Sequence, residues 1–387
     1  MHPSASGANL PVLRGHNAAL VLDLLRAAAR ADGGLSRADL AERTGLTPQA
    51  VSKITARLRT RGLIEESGHR APTGGKPRTG LRLAAGARHA VGVHLDGERL
   101  TAVLTDLAGR QVGERTAPLD LGRPVDEALG AVAAEIRATA ATASGPVIGA
   151  GVGIRGPLDH RTGVLHRVTG FPHWEGCRLR DELARRLGLP VAVDKNTNAA
   201  ALAVLAAGPV PAAGPAAGTG VEAGAGTGVA IGARGGGATV GSFAYLHLGT
   251  GLGAGLVLDG ALHRGGRTGA GEFGHQAVQL DGPPCKCGNR GCLEALCLAA
   301  VARGDLRGAA ALLGVGAANL VALLDIDRVV LGGRTVQADP GGFRAGVAEV
   351  LAARGRRVPV AVAPPLAVAE GAALLVLAPF FTAAALG

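Results

Sequence analysis

Hydrophobic residues in the first quarter of the chain recur with the period of an α-helix. After Asn17 they fall on one face at every third or fourth position, which predicts a helix capped by Asn17. Residues 1–15 lack this period and are expected to form a loose arm. Gly33–Gly34 should end the helix. Ser36, with an acidic residue three positions later, then predicts the capped start of a short second helix, Arg37–Thr44.

A third helix is predicted from Pro48 onward, where Thr47 can cap it and the missing N–H of proline does no harm. Helix, short helix, tight glycine turn and basic helix form the order that is typical of a helix-turn-helix, whose last helix enters the major groove of DNA. Base-reading candidates are Gln49, Ser52 and Lys53, and phosphate-binding candidates are Arg57 and Arg59.

The segment that follows Gly62 and runs through Leu83 is predicted to be a two-stranded wing. Its tip carries Lys76 and Arg78, which would lie near phosphates or in a minor groove. The alternative is a small helical bundle with a solvated basic face. The caps, the turn and the wing occur in the right order and favour the winged helix.

From Gly86 the pattern changes to short apolar strands that alternate with helices, which indicates an α/β domain. Residues 208–240 are mostly Gly, Ala and Pro without a period, and we interpret them as a flexible insertion. The predicted strands are Ala90–Leu95, Leu100–Asp106, Val147–Ile154, Val191–Val193, Phe243–Leu248, Leu256–Leu258, Val329–Leu331 and Val358–Val362, and the predicted helices are Val125–Ala143, Arg178–Leu187, Asn198–Ala207, Gly308–Leu324 and Glu370–Ala378.

Composition and charge divide the chain in the same way. Residues 1–88 carry 14 Lys/Arg against 6 Asp/Glu, whereas the remainder of the 387 residues carries 26 against 24. A basic first quarter on a nearly neutral body is typical of a nucleic-acid-binding head on a globular body. With only 8 aromatic residues, stacking on single-stranded bases is an unfavoured mode.

Apolar runs, a signal segment and the number of cysteines indicate where a protein is located. No uncharged apolar run reaches 18 residues, so no membrane span and no membrane partner are expected. No secretory signal is recognisable at the N-terminus. The chain has 5 cysteines, which suit a reducing cytosol better than a disulfide framework, so the expected location is cytoplasmic.

A metal site is predicted where three cysteines fall within eight residues. Imidazole and thiolate are the ligands that Zn²⁺ prefers, and four of them make a closed, structural site. The four ligands are His275, Cys285, Cys287 and Cys292. The alternative is four unrelated buried residues, which the crowding of the cysteines disfavours.

A glycine-rich turn between two predicted strands is a candidate phosphate loop, because its backbone N–H groups can face an anion. By itself this signal is weak. The residues concerned are Gly249, Thr250, Gly251 and Gly253.

Four motifs make the chain resemble the ROK family of repressors, open reading frames and sugar kinases. They are GVGIRGP at Gly151–Pro157, GTGLGAG at Gly249–Gly255, AGEFGH at Ala270–His275 and CKCGNRGCLE at Cys285–Glu294. The resemblance covers nearly the whole chain, and the winged helix ahead of the motifs is similar to the family's repressor branch.

The resemblance implies a fold of the α/β class: an N-terminal winged helix-turn-helix and a two-lobed, actin-like (ribonuclease H-like) body with a sugar cleft between the lobes. The implied boundaries are 1–85 for the head, 86–200 with 366–387 for the first lobe, and 201–365 for the second lobe, which carries the zinc loop 272–294. Assembly as a homodimer or homotetramer is also implied.

The resemblance further implies which residues bind the sugar. Glu272 and Glu294 would bond its hydroxyls, and His275 would lie beside it while also binding zinc; Asn198 is the remaining candidate. Zinc would then hold the loop so that the carboxylates face the cleft. Without the motif, the two glutamates would be interpreted as solvated surface acids.

Departures from the family pattern predict that catalysis is lost. Family kinases carry N-D-A-N, whose Asp is the base, but Asn196 stands at that position here and a neutral amide is a negligible base. Asp194 is the neighbouring carboxylate that could replace it. The first phosphate motif, D-x-G-x-T in the family, has become His94–Glu98, and a sugar-binding Asn of the family aligns with Gly170.

The sequence therefore favours a regulator that binds double-stranded operator DNA, most simply a repressor, and senses a sugar or sugar derivative in an inactive, kinase-like cleft. The alternative is an ATP-dependent sugar kinase with an accessory DNA-binding head. A third possibility is a body that serves only for dimerisation and has no effector.

Overall fold

The computed structural model describes residues 10–30, 33–69, 79–166, 168, 170–208 and 241–381. Its helices are α1 (Leu10–Arg30), α2 (Arg37–Thr44), α3 (Pro48–Thr60), α4 (Val125–Ala140), α5 (Leu179–Leu187), α6 (Asn196–Ala207), α7 (Leu293–Ala302), α8 (Leu306–Leu324), α9 (Arg334–Ala338), α10 (Pro340–Ala353) and α11 (Ala367–Phe380). Its strands are β1 (Ile64–His69), β2 (Thr79–Leu83), β3 (His89–Leu95), β4 (Arg99–Asp106), β5 (Gln111–Pro118), β6 (Val147–Ile154), β7 (Leu158–Asp159), β8 (Val164–Leu165), β9 (Val191–Lys195), β10 (Phe243–Leu248), β11 (Leu252–Leu258), β12 (Ala261–His263), β13 (Arg328–Gly332) and β14 (Val360–Val362).

The head consists of α1, α2, α3 and the antiparallel pair β1–β2, which is the predicted winged helix. Ser36 accepts a hydrogen bond from the Asp39 N–H at 3.2 Å and the Asp39 carboxylate accepts one from the Ser36 N–H at 2.9 Å, so the capping box forms. Thr47 caps α3 as predicted, by accepting from the Ala50 N–H at 3.2 Å. The predicted wing-tip residues Lys76 and Arg78 lie outside the described residues.

The start of the first helix was predicted wrongly. Helix α1 begins at Leu10, so Asn17 lies inside it and residues 10–15 are helical rather than part of a loose arm. Pro11 occupies the second helical position, where the N–H that proline lacks would have had no intrahelical partner. Pro11 therefore marks the start of the helix better than Asn17 does.

The body contains two five-stranded sheets with the same design. The first has the order β5-β4-β3-β6-β9 and the second the order β12-β11-β10-β13-β14. In each, three antiparallel strands are followed by two strands parallel to the first of them. Helices cover both sheets, and separate apolar clusters lie on them. The observed elements agree with the predicted α/β class.

Helix α11 lies directly on the first sheet and on α6. A Cβ atom added at Gly151 of β6 would lie 1.7 Å from the Ala372 carbonyl oxygen, and one added at Gly371 would lie 1.7 Å from that of Ala199. Such distances leave no room for a side chain, so glycine is required for the backbones to approach. Helix α11 is thereby fixed against β6 and α6 together.

The head packs onto the body through α1 and the end of α11. Arg26 of α1 is 2% exposed, pairs with Asp23 at 3.0 Å and stacks over the ring of Phe381 at 4.3 Å. Leu22 and Leu25 share one apolar cluster with Leu374 and Leu377. The head and the first lobe therefore share a core. A movement of α11 would displace the side chains of α1 that pack on it.

Several boundaries in the body differ from the predictions by a few residues, and two of them bear on the cleft. Strand β11 begins at Leu252 rather than Leu256, because it pairs with β10 from the Leu248–Leu252 position onward, and the turn shrinks to Gly249–Gly251. Helix α6 begins at Asn196, two residues earlier than predicted. Residues 209–240 of the predicted insertion lie outside the described residues.

One helix among the described residues, Leu306–Leu324, is long and apolar enough to cross a membrane by length and composition alone. Ala309, Leu313 and Ala317 are fully buried in the core of the second lobe, against residues such as Val347 of α10. One face of the helix therefore packs into the core of that lobe, while Leu323 is exposed.

Replacing Gly151 by alanine should destabilise the protein, because the new methyl group would overlap a backbone carbonyl. Overpacking of this kind costs about 1–3 kcal/mol or more. Gly130 of α4 has open space around it, so Gly130→Ala should instead stabilise by about 0.5–1 kcal/mol. Urea midpoints measure both changes, and equal midpoints for the two variants would contradict the tight α11 contact.

Candidate ligand cleft and metal centre

A pocket lies where the carboxyl ends of parallel strands from both sheets meet, which is the usual ligand position in open α/β sheets. Asp96 follows β3, Arg155 follows β6 and Lys195 ends β9, while His247 lies near the end of β10. The pocket is lined by Asp96, Arg155, Gly156, Lys195, Asn196, Thr197, His247, Thr250, Gly251, Leu252, Gly253, Gly271, Glu272, His275, Lys286, Glu294 and Leu298.

The four predicted metal ligands form one cluster, the Cys/His cluster, made of His275, Cys285, Cys287 and Cys292. Their ligand atoms all lie within 4.8 Å of one another. The Cys287 and Cys292 Sγ atoms are 3.7 Å apart, and the Cys285 Sγ atom is 3.7 Å from His275 Nδ1. Four ligands placed tetrahedrally about 2.3 Å from a metal ion would lie about 3.8 Å apart, so the cluster fits a four-coordinate ion.

Backbone contacts shape the loop that carries the cluster. The Cys285 N–H donates to the Asn289 carbonyl at 2.7 Å, and the Gly291 N–H donates to that of Pro283 at 2.8 Å. Gly291 has a φ of 62°, and a Cβ there would lie 1.5 Å from the Gln279 carbonyl oxygen. Only glycine meets both requirements at the turn before Cys292.

The two carboxylates that the family resemblance singled out lie beside the Cys/His cluster. Cys292 is the N-cap residue of α7, which places Glu294 in the first turn, and Glu272 immediately precedes the 3₁₀ turn that ends at His275. Glu294 Oε2 accepts a hydrogen bond from the Leu252 N–H at 2.8 Å. Both carboxylates line the pocket, and so does His275.

Lys195 is a pocket residue to which the sequence analysis gave no role. Its ammonium group lies 3.2 Å from Glu272 Oε1 and also donates to the Ala270 carbonyl. The Lys195 side chain is 4% exposed while that of Glu272 is 42% exposed. In this ion pair the lysine is therefore buried and the carboxylate faces solvent. Its place at the end of a parallel strand was the signal that would have found it.

The proposed replacement base and one predicted sugar ligand are directed away from the pocket. Asp194 is 1% exposed, pairs with Arg264 at 2.7 Å and accepts from Asn198 Nδ2 at 2.8 Å. Neither Asp194 nor Asn198 lines the pocket, whereas Asn196 does. The structure thus does not bring Asn198 together with Glu272, His275 and Glu294, because Asp194 holds its amide in the interior.

The region of the altered phosphate motif is occupied by charged pairs. Glu98 pairs with Arg334 at 2.7 Å, and a hydrogen bond from this guanidinium lowers the pKa of Glu98. Arg155 donates to the Asp96 carbonyl at 3.0 Å and to the Thr250 hydroxyl. Thr250, Gly251 and Gly253 line the pocket, whereas Gly249 and Gly170 do not.

Two histidines that the sequence analysis did not single out as site residues face each other across the lobes. The rings of His94 and His247 are 5.8 Å apart and perpendicular. Burial lowers the pKa of His94 to about 4, with Arg155 contributing, and burial lowers the pKa of His247 to about 3. Both imidazoles are therefore neutral near pH 7.

The exposed face of α3 carries the predicted base-reading residues. Gln49, Ser52 and Lys53 are exposed, while Val51 and Leu58 on the opposite face are buried. Arg59 is exposed and pairs with Glu66 at 3.0 Å; Arg57 is partly buried, with its Nε atom inside.

Comparison with known proteins agrees with this architecture. The ROK family model matches residues 90–237 and 234–302, which is more than half of the chain, and the MarR family model matches residues 18–72. A crystal structure described as a ROK family transcriptional regulator, a homologue of the E. coli Mlc protein, covers 97% of this chain and 98% of its own at a TM-score of 0.69 and 21% identity.

The chain is similar both to a repressor and to a kinase. The xylose repressor of Caldicellulosiruptor bescii is 26% identical over 264 residues, 67% of this chain and 59% of that protein. The glucokinase of Thermotoga maritima is 31% identical over 220 residues, 56% of this chain and 59% of that protein. The chain thus spans about three fifths of the length of these relatives.

The fold and the cleft define a two-lobed, actin-like body behind a MarR-like winged helix. The chain belongs to the ROK family.

Removing one ligand of the Cys/His cluster should release the metal and loosen the rim of the cleft. We expect about one metal ion per chain after dialysis against a chelator, because four-ligand thiolate sites are closed. Cys287→Ser should lose most of it and melt at a lower temperature, whereas Cys177→Ser, a half-buried cysteine outside the cluster, should keep it. Elemental analysis and thermal melts measure both effects, and wild-type protein without metal would refute the site.

Proposed function

We propose that this protein is a DNA-binding transcriptional regulator, a repressor, that senses a sugar or sugar derivative in a catalytically inactive cleft. One observation carries the proposal: a winged helix with an exposed polar and basic face shares a hydrophobic core with a kinase-like body whose base position is Asn196. An amide there cannot take the proton of an attacking hydroxyl.

For the head, we propose that α3 lies in the major groove of operator DNA. Gln49, Ser52 and Lys53 would contact base edges, and Arg57 and Arg59 would contact phosphates. The Arg59–Glu66 pair supports this role because both side chains are about half exposed, and such a pair contributes about 0–1 kcal/mol, so a phosphate can replace Glu66. Lys76 and Arg78 remain candidates for phosphate or minor-groove contact at the wing.

For the cleft, we propose that Glu272, His275 and Glu294 bind sugar hydroxyls. Carboxylates and imidazole are acceptors for hydroxyl donors, and all three side chains line one pocket. The name of the xylose repressor supports a sugar as the ligand class. Thr250, Gly251 and Gly253 are what is left of a phosphate loop, with Arg155 bonded to Thr250.

We propose Zn²⁺ as the ion of the Cys/His cluster, because three thiolates and an imidazole in tetrahedral array suit zinc. With no open position its role is structural. His275, Cys285, Cys287 and Cys292 would hold it, and the ion would keep Glu272 and Glu294 directed at the cleft.

Signal transfer is proposed to follow the packing. Ligand-driven closure of the lobes would shift α6 and α11, and Phe381 at the end of α11 contacts Arg26 of the head. In a homodimer or homotetramer this would change the spacing of two recognition helices against half-sites about 34 Å apart. Such a regulator acts on cytosolic DNA, and we place the protein in the cytoplasm without a membrane partner.

Arg59→Ala should weaken binding to DNA taken from upstream of the protein's own gene. Loss of one phosphate contact should reduce the slope of log affinity against log salt by about 1. Arg354→Ala, an exposed arginine on the second lobe, should leave the slope unchanged. Fluorescence anisotropy at several salt concentrations measures both, and binding that is absent or insensitive to salt in the wild type would sink the DNA-binding proposal.

The competing function is an ATP-dependent sugar kinase, which the similarity to a glucokinase favours. If the cleft is a sensor, no hexose in a panel should produce ADP, because neither Asn196 nor the interior Asp194 can act as the base. In the same panel, at least one sugar should raise the melting temperature of the wild type, and less so that of Glu294→Gln. Robust ADP release by the wild type would instead establish the kinase.

A further inference from the structure

We propose that the cleft contains a second metal site, formed by His94, Asp96 and His247, which takes a divalent transition-metal ion such as Zn²⁺. The site is separate from the Cys/His cluster and joins the two lobes: His94 and Asp96 belong to β3 and its end in the first sheet, and His247 belongs to β10 in the second.

The geometry supplies a suitable donor set. One ligand atom from each of the three residues lies within 4.8 Å of the others. Two imidazoles with one carboxylate are donors that Zn²⁺, Ni²⁺ and Fe²⁺ all accept, whereas Mg²⁺ and Ca²⁺ prefer oxygen alone. Asp96 and His247 also line the pocket, so an ion there would be reached from the cleft.

An unpaired buried atom points to the same place. His94 Nε2 is buried and has no hydrogen-bond partner among the described residues. A buried polar atom is nearly always paired, and an unsatisfied one calls for an ion or a water. A bound metal ion would satisfy it.

The second imidazole is already oriented for ligation. His247 is 6% exposed, and its Nδ1 atom lies 3.2 Å from the hydroxyl of Tyr245, which is itself buried. A hydrogen bond at one ring nitrogen fixes the ring and leaves the other nitrogen for a metal, as is usual for ligating histidines. Tyr245 would therefore be a positioning residue for the His247 ring.

The charges around the site permit a cation. Arg155 interacts with both histidines and with the carboxylates of Asp96, Glu98 and Glu294. Two other cations near the site are paired, Arg334 with Glu98 and Lys195 with Glu272, and Lys286 also lines the pocket. Because most of these cations have a carboxylate beside them, a divalent ion would not enter a strongly positive field.

Three protein ligands leave coordination positions open, unlike the four ligands of the Cys/His cluster. Those positions would be available to water or to an oxygen of the cleft's ligand. Because the ligands come from both lobes, the ion would also hold the lobes together. The competing interpretation is that the two rings pack edge to face without any ion.

The test is a calorimetric titration of the untagged protein with Zn²⁺, after dialysis against a chelator that leaves the Cys/His ion in place. The wild type should take up about one further ion per chain, and Asp96→Asn and His247→Asn should take up none. Tyr245→Phe should keep the stoichiometry with about 10-fold weaker affinity. His263→Ala removes an exposed histidine and should bind as the wild type does.

Near-ultraviolet circular dichroism establishes that each variant is folded, and Asp96→Asn is nearly isosteric, so it is the variant least prone to fold badly. No further uptake by the wild type would overturn the proposal. So would uptake that persists in both folded variants, since the ion would then sit elsewhere. Neither outcome depends on whether the protein binds DNA or a sugar.

Discussion

The tight packing of α11 is the constraint on which the rest of the structure depends. Gly151 and Gly371 allow the helix to touch the backbones of β6 and α6, where any side chain would overlap a carbonyl oxygen. Because α6 begins at the cleft with Asn196, and Phe381 after α11 packs on Arg26 of the head, one rigid layer connects the two ends of the molecule. A small change at the cleft has a short, closely packed route to the helices of the head.

Under the proposed function, the cleft keeps side chains suited to hold a ligand and carries Asn196 at the position where a kinase would have its base. Glu294 and Glu272 lie within three residues of Cys292 and His275 of the Cys/His cluster, so an ion bound there would fix their positions. Asn196 also lines the pocket, and its side chain is an amide. The nearby carboxylate of Asp194 is bonded to Arg264 and Asn198 in the interior. Pre-organised acceptors without a base suit recognition rather than phosphoryl transfer.

Much of the fold followed from local signals. The capping box at Ser36 and the proline at Pro48 each depend on a few neighbouring residues, and the structure has them where the sequence predicted. Each predicted strand occurs, although β11 begins earlier than predicted, whereas β5 and α10 were not predicted. The Cys/His cluster was predictable because its ligands are close in sequence. The ion pair between Lys195 and Glu272 and the facing of His94 and His247 join residues 77 or more positions apart. These contacts form only because the two sheets pack against each other, and the hydrophobic period of the sequence does not predict that packing. Asn17 failed as a cap because its helix begins seven residues earlier, at Leu10.

The central claim is that a ligand in the cleft controls the DNA affinity of the head, and one measurement tests it most directly. Binding to DNA from upstream of the gene is followed by fluorescence anisotropy with and without the sugar that raises the melting temperature, for the wild type and for Glu294→Gln. The account predicts that the sugar changes the DNA affinity of the wild type by about 5- to 150-fold, the usual range of such coupling, and that Glu294→Gln responds only at higher sugar concentrations. A sugar that binds the cleft tightly and leaves the DNA affinity of the wild type unchanged would contradict it.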